Sequence, residues 1–352
     1  QKNDDDLIFT LQSGVEQSVN LKAWAWNASV LRNVKVSKDT TISSSTPILI
    51  YGGLKVDSGA MLTVEAGTTL YFHNDAGINV YGSLHCKGTA DNNVTLRGDR
   101  IDRMFDYLPY DRTPGQWQGV KLFSSSYDNE LTYTDLHGSY NGIVADSSDI
   151  EKQKLLLSHS TIHNCQGVGI DAHYINAKII NTQVTNTLGN CINIIGGEID
   201  INSSTIAQFY PFDSKRGLAL YADLNKDIKR MHITNSLITG YSDDVLSIKV
   251  SKQPSDWIFS HCVLRTPKPI NQDSIHFVRT IFENVKDTMK MGEKQFKKVD
   301  AENMICDFHL SKEAVSIDQA DTSTSPKDDH DGNTRDEKPD VGAYEFLKNE
   351  DK

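Results

Sequence analysis

Apolar and polar residues recur in a fixed pattern through the middle of the chain. Five eight-residue segments align without gaps, and successive segments end 22, 22, 32 and 26 residues apart. The segments are residues 155–162, 177–184, 199–206, 231–238 and 257–264. The first, third and eighth positions are apolar in all five, and the third position is Leu157, Ile179, Ile201, Ile233 and Phe259. Apolar residues two positions apart indicate a strand with one buried face.

A polar pair lies between the apolar positions of each segment. The sixth position is Ser, Thr or Cys, and the fifth is His159, Asn181, Ser203, Asn235 and His261. Such residues indicate a bend in the chain. A repeat of about 22 residues is too short for a strand–helix–strand unit, which needs roughly 30. The repeat therefore predicts an all-β fold, a parallel β-helix whose coils stack about 4.8 Å apart with bend residues in ladders.

Short strands separated by glycine extend this pattern into the N-terminal half. We predict a single right-handed parallel β-helix of about ten coils over residues 46–285, the hand following the general preference for right-handed crossovers. The ends of such a stack expose unpaired strands, so residues 1–45 and 286–352 are predicted to form N- and C-terminal caps. Residues 100–119 and 210–216 interrupt the repeat, and residues 318–339 are predicted to be a loosely ordered surface loop.

Composition and charge narrow the class of protein. The 352 residues carry 36 Lys and Arg against 47 Asp and Glu, a net charge of −11. An acidic chain does not favour nucleic acid, which needs a clustered positive field. No apolar run approaches the roughly 20 residues of a membrane-spanning helix. The five cysteines contain no C-x-x-C pair, so they indicate neither a disulfide framework nor a zinc site. Four of them are expected to pack as small apolar residues: Cys86, Cys165, Cys191 and Cys262.

Three longer motifs resemble a known family. The chain reads TPILIYGGLKVDSGAMLTVEAGTTLYFH at residues 46–73, LRGDRIDRMFDYLPYDRTPGQWQGVKL at 96–122 and DGNTRDEKPDVGAYEF at 331–346. In these segments it resembles right-handed, pectate-lyase-like β-helix proteins of the Bacteroidetes cell envelope, mostly without assigned function. The resemblance implies export to the outer-membrane surface or periplasm, with a lipid anchor in a segment absent from this chain. Residues 7–26 also resemble the last strands of a β-sandwich upstream in longer relatives.

A second resemblance concerns catalysis. The sequence YSDDVLSIK at residues 241–249 is similar to the G-D-D-C-x-A-I-K strand of polygalacturonase-like glycosidases. In those enzymes neighbouring carboxylates divide the acid and water-activating roles of inverting hydrolysis. The resemblance implies catalytic roles for Asp223, Asp243, Asp244, His261 and Arg279. The alternative is structural, because His261 also occupies the bend column of the repeat.

A calcium-loop spacing occurs near the C-terminus. Asp329, Asp331, Asn333 and Asp340 occupy positions 1, 3, 5 and 12 of the pattern. The sixth position, where a calcium loop needs Gly, is Thr334, and the twelfth is Asp rather than Glu. Two interpretations remain open: a Ca²⁺ site, or a salt bridge between Asp331 and Arg335 that holds a cap together.

The first insertion is rich in aromatic and charged residues. Tyr107, Tyr110, Arg112 and Trp117 could form a wall on which sugar rings stack, since aromatic faces suit pyranose CH groups and charges suit hydroxyls or carboxylates. The alternative is that these rings pack onto the β-helix as a satellite core.

We predict a monomer that binds polysaccharide along its lateral face; the alternatives are a polysaccharide lyase or glycoside hydrolase, and a structural or adhesive surface protein.

Overall fold

The computed structural model describes residues 2–24, 26–250, 256–269, 273–283, 286 and 292–347. Nearly all regular structure is strand, because the sequence is rich in short β-branched runs and poor in helical periodicity. In chain order the strands are β1 (Lys2–Thr10), β2 (Glu16–Trp24), β3 (Ser29–Val36), β4 (Thr40–Ile42), β5 (Ile48–Val56), β6 (Met61–Glu65), β7 (Thr69–Phe72), β8 (Ile78–Val80), β9 (Ser83–Lys87), β10 (Val94–Gly98), β11 (Arg103–Phe105), β12 (Leu108–Pro109), β13 (Val120–Leu122), β14 (Asn129–Thr132), β15 (Thr134–His137), β16 (Ile143–Ala145), β17 (Gln153–Ser158), β18 (Thr161–Cys165), β19 (Ile170–His173), β20 (Asn176–Ile180), β21 (Gln183–Thr187), β22 (Ile192–Asn202), β23 (Thr205–Gln208), β24 (Leu220–Thr234), β25 (Leu237–Gly240), β26 (Leu246–Lys249), β27 (Trp257–Ser260), β28 (Val263–Leu264), β29 (Phe277–Val278), β30 (Ile281–Phe282), β31 (Phe296–Asp300) and β32 (Ile305–Leu310). Two 3₁₀ helices, Tyr110–Arg112 and Gly292–Gln295, complete the set in the described residues.

The strands stack in parallel as a β-solenoid of about nine turns, close to the ten predicted. Each turn crosses three faces in the order A, B, C. Face A contains β4, β6, β9, β14, β17, β20, the second halves of β22 and β24, β27 and β29. Face B contains the first halves of β3 and β5, then β7, β10, β15, β18, β21, β23, β25, β28 and β30. Face C contains the second halves of β3 and β5, β8, β13, β16, β19, the first halves of β22 and β24, and β26.

The predicted apolar column runs through the interior. Successive members are direct neighbours in the parallel ladders of face A, and all are buried: Leu157, Ile179, Ile201, Ile233 and Phe259. Stacking identical positions on one axis removes every one of them from water, and this burial is the main favourable contribution to folding. The prediction of a continuous apolar core is confirmed.

The corner between faces A and B is a ladder of left-handed residues. Tyr133, His159, Asn181, Ser203, Asn235, His261 and Arg279 have φ between 44° and 52°. At the next position hydroxyls accept backbone N–H groups of the preceding turn: Thr134 N donates to Ser160 Oγ at 3.0 Å, and Thr182 N to Ser204 Oγ at 3.2 Å. The polar pair of each repeat therefore forms the predicted bend and satisfies buried backbone groups there.

The two insertions leave the solenoid at the same corner. Residues 99–119 connect β10 on face B to β13 on face C, and residues 209–219 connect β23 on face B to β24 on face C. The first insertion contains the hairpin β11–β12 and the 3₁₀ helix Tyr110–Arg112. Loops on this one edge can therefore reach each other over the side of the solenoid.

The N-terminal segment differs from a simple cap. β1 and β2 form an antiparallel hairpin, and its apolar residues Leu7, Ile8 and Phe9 are about half exposed. They therefore do not provide a buried apolar cover within the described residues. Parallel stacking begins at β3, upstream of the expected boundary at residue 46.

The described residues of the C-terminal segment lie along face B. The hairpin β31–β32 and residues 311–347 cover it, and a second apolar cluster joins Phe209, Leu237 and Val263 of the solenoid to Phe308, Val341 and other residues of the segment. Hydrogen bonds join Ala343 N to Thr205 Oγ1 and Tyr344 Oη to Gln183 Oε1. The outward side of face B carries enough apolar surface to bury these described residues, which explains their lateral position.

Residues 318–339, expected to be loosely ordered, are held by specific contacts. Arg335 is buried and donates to Glu345, to Asn181 Oδ1 and to several carbonyl oxygens. Asp321 N donates to Asn235 Oδ1 at 2.8 Å. The expectation was wrong because Asn181 and Asn235 of the corner ladder supply the partners that a polar loop needs.

Candidate functional site

Polar side chains line the outer side of face B under the C-terminal hairpin. In β15, β18 and β21 the inward residues Leu136, Ile162 and Val184 are buried, so the residues on either side of each point outward. The parallel register places His137 beside His163 and Asp135 beside Thr161. Consecutive turns therefore bring histidine and carboxylate groups to one patch of this face.

His137 lies between two carboxylates. Its Nδ1 is 2.9 Å from Asp135 Oδ1 and its Nε2 is 3.0 Å from Asp111 Oδ1, and Arg97 Nη1 lies 2.6 Å from the same Asp111 oxygen. Ionised carboxylates only accept hydrogen bonds, so both ring nitrogens donate and the imidazole is protonated. Burial opposes this charge, but Asp135 and Asp111 outweigh it and raise the pKa of His137 to about 9.

His163 completes the group. Its Nε2 is 3.2 Å from Asp135 Oδ1, and its ring centroid is 4.8 Å from that of His137. Burial would raise the pKa of Asp135, but His137 and His163 hold it well below its usual range. Among the described residues, Asp135, His137 and His163 form the one group of three or more His, Cys, Asp or Glu whose ligand atoms lie close enough to hold a metal ion, all within 4.8 Å.

The C-terminal segment provides the opposite wall. His309 Nδ1 is 2.5 Å from Asp307 Oδ1, and its Nε2 is 2.7 Å from Asp331 Oδ2. Burial opposes protonation, but these carboxylates raise the pKa of His309 to about 9. Between this wall and face B lies a cavity of about 400 Å³, the histidine cleft, lined by Asp111, Arg112, Asp135, His137, Thr161, His163, Asn164, Gln183, Thr185, Asn186, residues 304–309 and Tyr344.

Two asparagines of the histidine cleft have unused acceptors. The side chains of Asn164 and Asn186 are 4% and 5% exposed, and neither Oδ1 atom has a hydrogen-bond partner in the described part of the chain. A buried amide oxygen without a partner costs free energy. Both residues line the histidine cleft, but their Oδ1 atoms are enclosed by protein rather than exposed to the cavity.

A second cleft lies beside the two insertions. This aromatic cleft has a volume of about 700 Å³ and is lined by His73, Asn74, Asp99, Arg100, Met104, Phe105, Tyr107, Leu108, Tyr110, residues 113–116 and Phe212. Phe105 and Tyr107 stack 5.7 Å apart with nearly parallel rings, and both are more than half exposed. Phe212, from the second insertion, is 50% exposed.

The 3₁₀ helix Tyr110–Arg112 contributes to both clefts. Tyr110 lines the aromatic cleft, whereas Asp111 and Arg112 line the histidine cleft. Arg112 Nη1 also donates to Asn303 O of the turn between β31 and β32. One short helix therefore carries residues of both clefts.

The structure does not bring the predicted catalytic residues together. Asp223 ends the face C part of β24, in register with Lys249, whereas Asp244 lies five residues before Lys249 at the opposite corner. Five extended residues span roughly 15 Å, so Asp223 and Asp244 lie about that far apart along face C. The two catalytic carboxyl groups of glycosidases are only about 5–10 Å apart. Asp243 is exposed and 3.0 Å from Arg265 Nη2.

His261 and Arg279 lie at a different edge from these carboxylates. Both have positive φ in the ladder between faces A and B, one turn apart. The structural interpretation of His261 as a bend residue fits this position. The similarity of residues 241–249 to the glycosidase strand therefore does not extend to an assembled site.

The predicted sugar wall is divided. Tyr107 and Tyr110 line the aromatic cleft, with the Arg100 guanidinium 3.7 Å from the Tyr110 ring centroid. Arg112 belongs to the histidine cleft. Trp117 is 1% exposed, stacks on Phe72 at 4.4 Å and donates to His137 O at 2.8 Å, so it is part of the core.

The predicted calcium ligands hold the C-terminal segment itself. Asp329 Oδ1 accepts the backbone N–H groups of Asp331 and Asn333, and the two carboxylate oxygens of Asp340 accept those of Asp318 and Phe346. Asp331 pairs with His309 and His330 rather than with Arg335, whose carboxylate partner is Glu345. The calcium-like spacing thus coincides with a network of turns.

Sequence analysis missed the histidine cleft, although part of its signal was available. Extending the repeat alignment back by one turn places Asp135, Leu136 and His137 directly above Thr161, Ile162 and His163. That alignment shows two histidines in one outward column. The opposing wall comes from residues about 170 positions later, for which the repeat gives no signal.

Four buried cysteines fit the structural interpretation. Burial raises the pKa of the Cys86, Cys165, Cys191 and Cys262 thiols to about 12, so they stay protonated and unreactive. Cys306 is half-buried at the edge of the histidine cleft.

Comparison with known proteins does not assign the chain to a family. No protein-family model matches the chain, and no curated protein matches it. Within the described residues, none of the helices has the length and apolar character needed to cross a membrane.

Proposed function

We propose that this protein binds a polysaccharide along the side of its solenoid, in the aromatic cleft. One observation carries the proposal: the two insertions leave the solenoid at one corner and together present the exposed rings of Phe105, Tyr107 and Phe212 to a cleft of about 700 Å³. Exposed aromatic residues gathered in a cleft are typical of ligand-binding surfaces.

The chemistry of the lining suits sugars. The near-parallel rings of Phe105 and Tyr107 offer flat apolar surfaces to pyranose CH groups. Asp99, Arg100 and His73 supply charged and hydrogen-bonding groups at the same cleft. The Arg100 guanidinium stacks on Tyr110 and donates to both carboxylate oxygens of Asp102, which holds this wall of the cleft in place.

The spacing of the two insertions favours a polymer. The insertions originate from β10 and β23, which are separated by β15, β18 and β21 on face B. Four ladder steps of about 4.8 Å span roughly 19 Å along the axis. Insertions whose bases lie this far apart line one cleft, and this spacing favours several linked sugar units over one monosaccharide.

Cleavage of the bound polymer is a second candidate function. It is favoured by the ionisable groups of the histidine cleft, Asp111, Asp135 and His137, which lie next to the aromatic cleft across the helix Tyr110–Arg112. Groups with perturbed pKa values in a cleft are the kind that transfer protons in hydrolysis or β-elimination. An assay of reducing ends and of unsaturated products, on polygalacturonate and alginate, tests this activity in the wild type and H137Q.

Affinity electrophoresis tests the binding proposal. Native gels containing polygalacturonate, alginate or dextran should retard the wild-type chain with at least one of these polymers. F105A and Y107A should each weaken binding about fivefold, because each ring contributes about 1 kcal/mol. F9A is the matched control for F105A, since Phe9 in the hairpin β1–β2 is 49% exposed and does not line the cleft. Equal retardation of F105A and F9A, or none with any polymer, would leave the structural or adhesive role.

The proposed setting is the cell envelope, at the outer-membrane surface or in the periplasm. It is supported by the resemblance of residues 46–73, 96–122 and 331–346 to envelope β-helix proteins. Cell fractionation with an antibody against the chain would place it: recovery with cytoplasmic markers contradicts the proposal.

A further inference from the structure

We propose that Asp135, His137 and His163 bind a divalent transition-metal ion on face B. The site is distinct from the calcium-like pattern at residues 329–340 and does not depend on carbohydrate binding. It rests on the geometry of three side chains, on the groups behind them and on the cavity in front of them.

The three ligand atoms lie close enough together to hold a metal ion, and the two His–Asp separations are near those of a zinc site. Asp135 Oδ1 is 2.9 Å from His137 Nδ1 and 3.2 Å from His163 Nε2, and all three lie within 4.8 Å of one another. Zinc with bonds of about 2.0–2.1 Å and tetrahedral geometry places its ligand atoms roughly 3.3 Å apart. Two imidazoles and one carboxylate are a donor set that zinc and iron(II) both accept.

A carboxylate behind the site fixes the orientation of one ligand. Asp111 Oδ1 is 3.0 Å from His137 Nε2, on the side of the ring away from Asp135. Metal-binding histidines usually donate their second ring N–H to such a carboxylate, which fixes the tautomer and makes the ligand more basic. Arg97 Nη1 in turn lies 2.6 Å from Asp111, so the orienting carboxylate is itself held in place.

The protein supplies three ligands and leaves room for a fourth. The cavity of about 400 Å³ in front of the triad also contains Cys306 and His309 in its wall. Three protein ligands facing a cavity are typical of metal sites that keep a position for water or substrate, whereas closed structural sites use four.

Zinc titration of the full chain tests the site. Protein without a polyhistidine tag is stripped with a chelator, dialysed and titrated calorimetrically with Zn²⁺, and Co²⁺ binding is followed by visible absorption. We expect one equivalent of Zn²⁺, displaced protons, and a Co²⁺ spectrum of nitrogen and oxygen ligands. H163Q should lose this binding, and D111N, which keeps all three ligands, should weaken it 10–100-fold.

A matched variant separates this site from surface His–Asp pairs. His173 lies 3.0 Å from Asp171 Oδ1 and is 46% exposed, so H173Q should bind Zn²⁺ like the wild type. Circular dichroism confirms that each variant is folded. Absence of stoichiometric binding in the folded wild type, or loss of binding in H309Q but not in H163Q, overturns the proposal. Polysaccharide is absent from this titration, so its result is independent of carbohydrate binding.

Discussion

Adjacent residues of one strand have opposite roles in the solenoid. In β20, Ile179 points into the core and is 2% exposed, whereas Ile180 points outward and is half-buried. The side chains are identical, so the difference between them comes only from the period of the strand. Comparing alanine variants at these two positions therefore measures how much burial in the core contributes to the free energy of unfolding.

Ile179→Ala should destabilise the protein by about 2–5 kcal/mol, because it removes buried methyl groups and leaves a cavity. Ile180→Ala is the internal control and should cost about 1 kcal/mol or less. The midpoints of urea unfolding of the two variants give the comparison. Equal midpoints would mean that the core column does not carry the stability of this turn.

His309 makes stability depend on pH. Burial disfavours its charge, but Asp307 and Asp331 raise the pKa of His309 to about 9. Because the folded pKa lies above the unfolded value of about 6.5, this contribution is fully present below pH 6.5 and is lost as the pH rises through 9.

We therefore expect H309Q to be less stable than the wild type at pH 6, with a smaller difference at pH 9.5. Urea unfolding at both pH values measures this difference, and H232Q serves as the control because His232 pairs with Asp256 at 2.8 Å outside the cleft. A difference that is the same at both pH values would show that His309 does not act through its charge.

The C-terminal segment is an element defined by polar contacts rather than by regular structure. Arg335, 7% exposed, donates to Asn181 Oδ1 on the corner ladder, to Gly342 O and Ala343 O, and to the buried carboxylate of Glu345. A single guanidinium thus joins the segment to the solenoid and also holds different parts of the segment together.

Arg335→Ala should release the segment, because it leaves Glu345 buried without its partner, at a cost of about 3–5 kcal/mol. Limited proteolysis should then cut within residues 311–347 while the solenoid stays intact. Lys338→Ala, at an exposed position of the same segment, should digest like the wild type. Resistance of R335A to the protease would contradict this account of how the segment is held.

At the level of elements, the features that repeat in each turn could be predicted from the sequence. The apolar column and the polar bend occur in each turn, so five copies of one pattern fixed the strands, the corner and the core. The position of residues 292–347 does not repeat: it depends on the outward residues Phe209, Leu237 and Val263, whose burial is visible only once the segment lies over them.

Site prediction was limited for the same reason. Tyr107 and Tyr110 were predicted from the composition of one insertion, and the structure places them in a cleft with Phe212 of another. The histidine cleft combines Asp111, His137, His163 and His309, which come from four separate parts of the chain. Their convergence follows from stacking and from the lateral C-terminal segment, not from any local motif.

At the scale of the whole molecule, both clefts open on one side of the solenoid. The aromatic cleft lies at the corner of faces B and C, the histidine cleft lies on face B, and the helix Tyr110–Arg112 stands between them. A rigid stack of parallel strands keeps these loops in fixed register over several turns. We propose that this side of the molecule is its ligand-binding surface.

A crystal structure of the chain with oligosaccharides cut from the polymer that retards it in native gels tests this proposal most directly. We predict sugar rings stacked on Phe105 and Tyr107, with the oligosaccharide running along the solenoid axis towards Phe212. Sugar bound at a different surface, such as face C, with the aromatic cleft occupied only by solvent at saturating oligosaccharide, would contradict it.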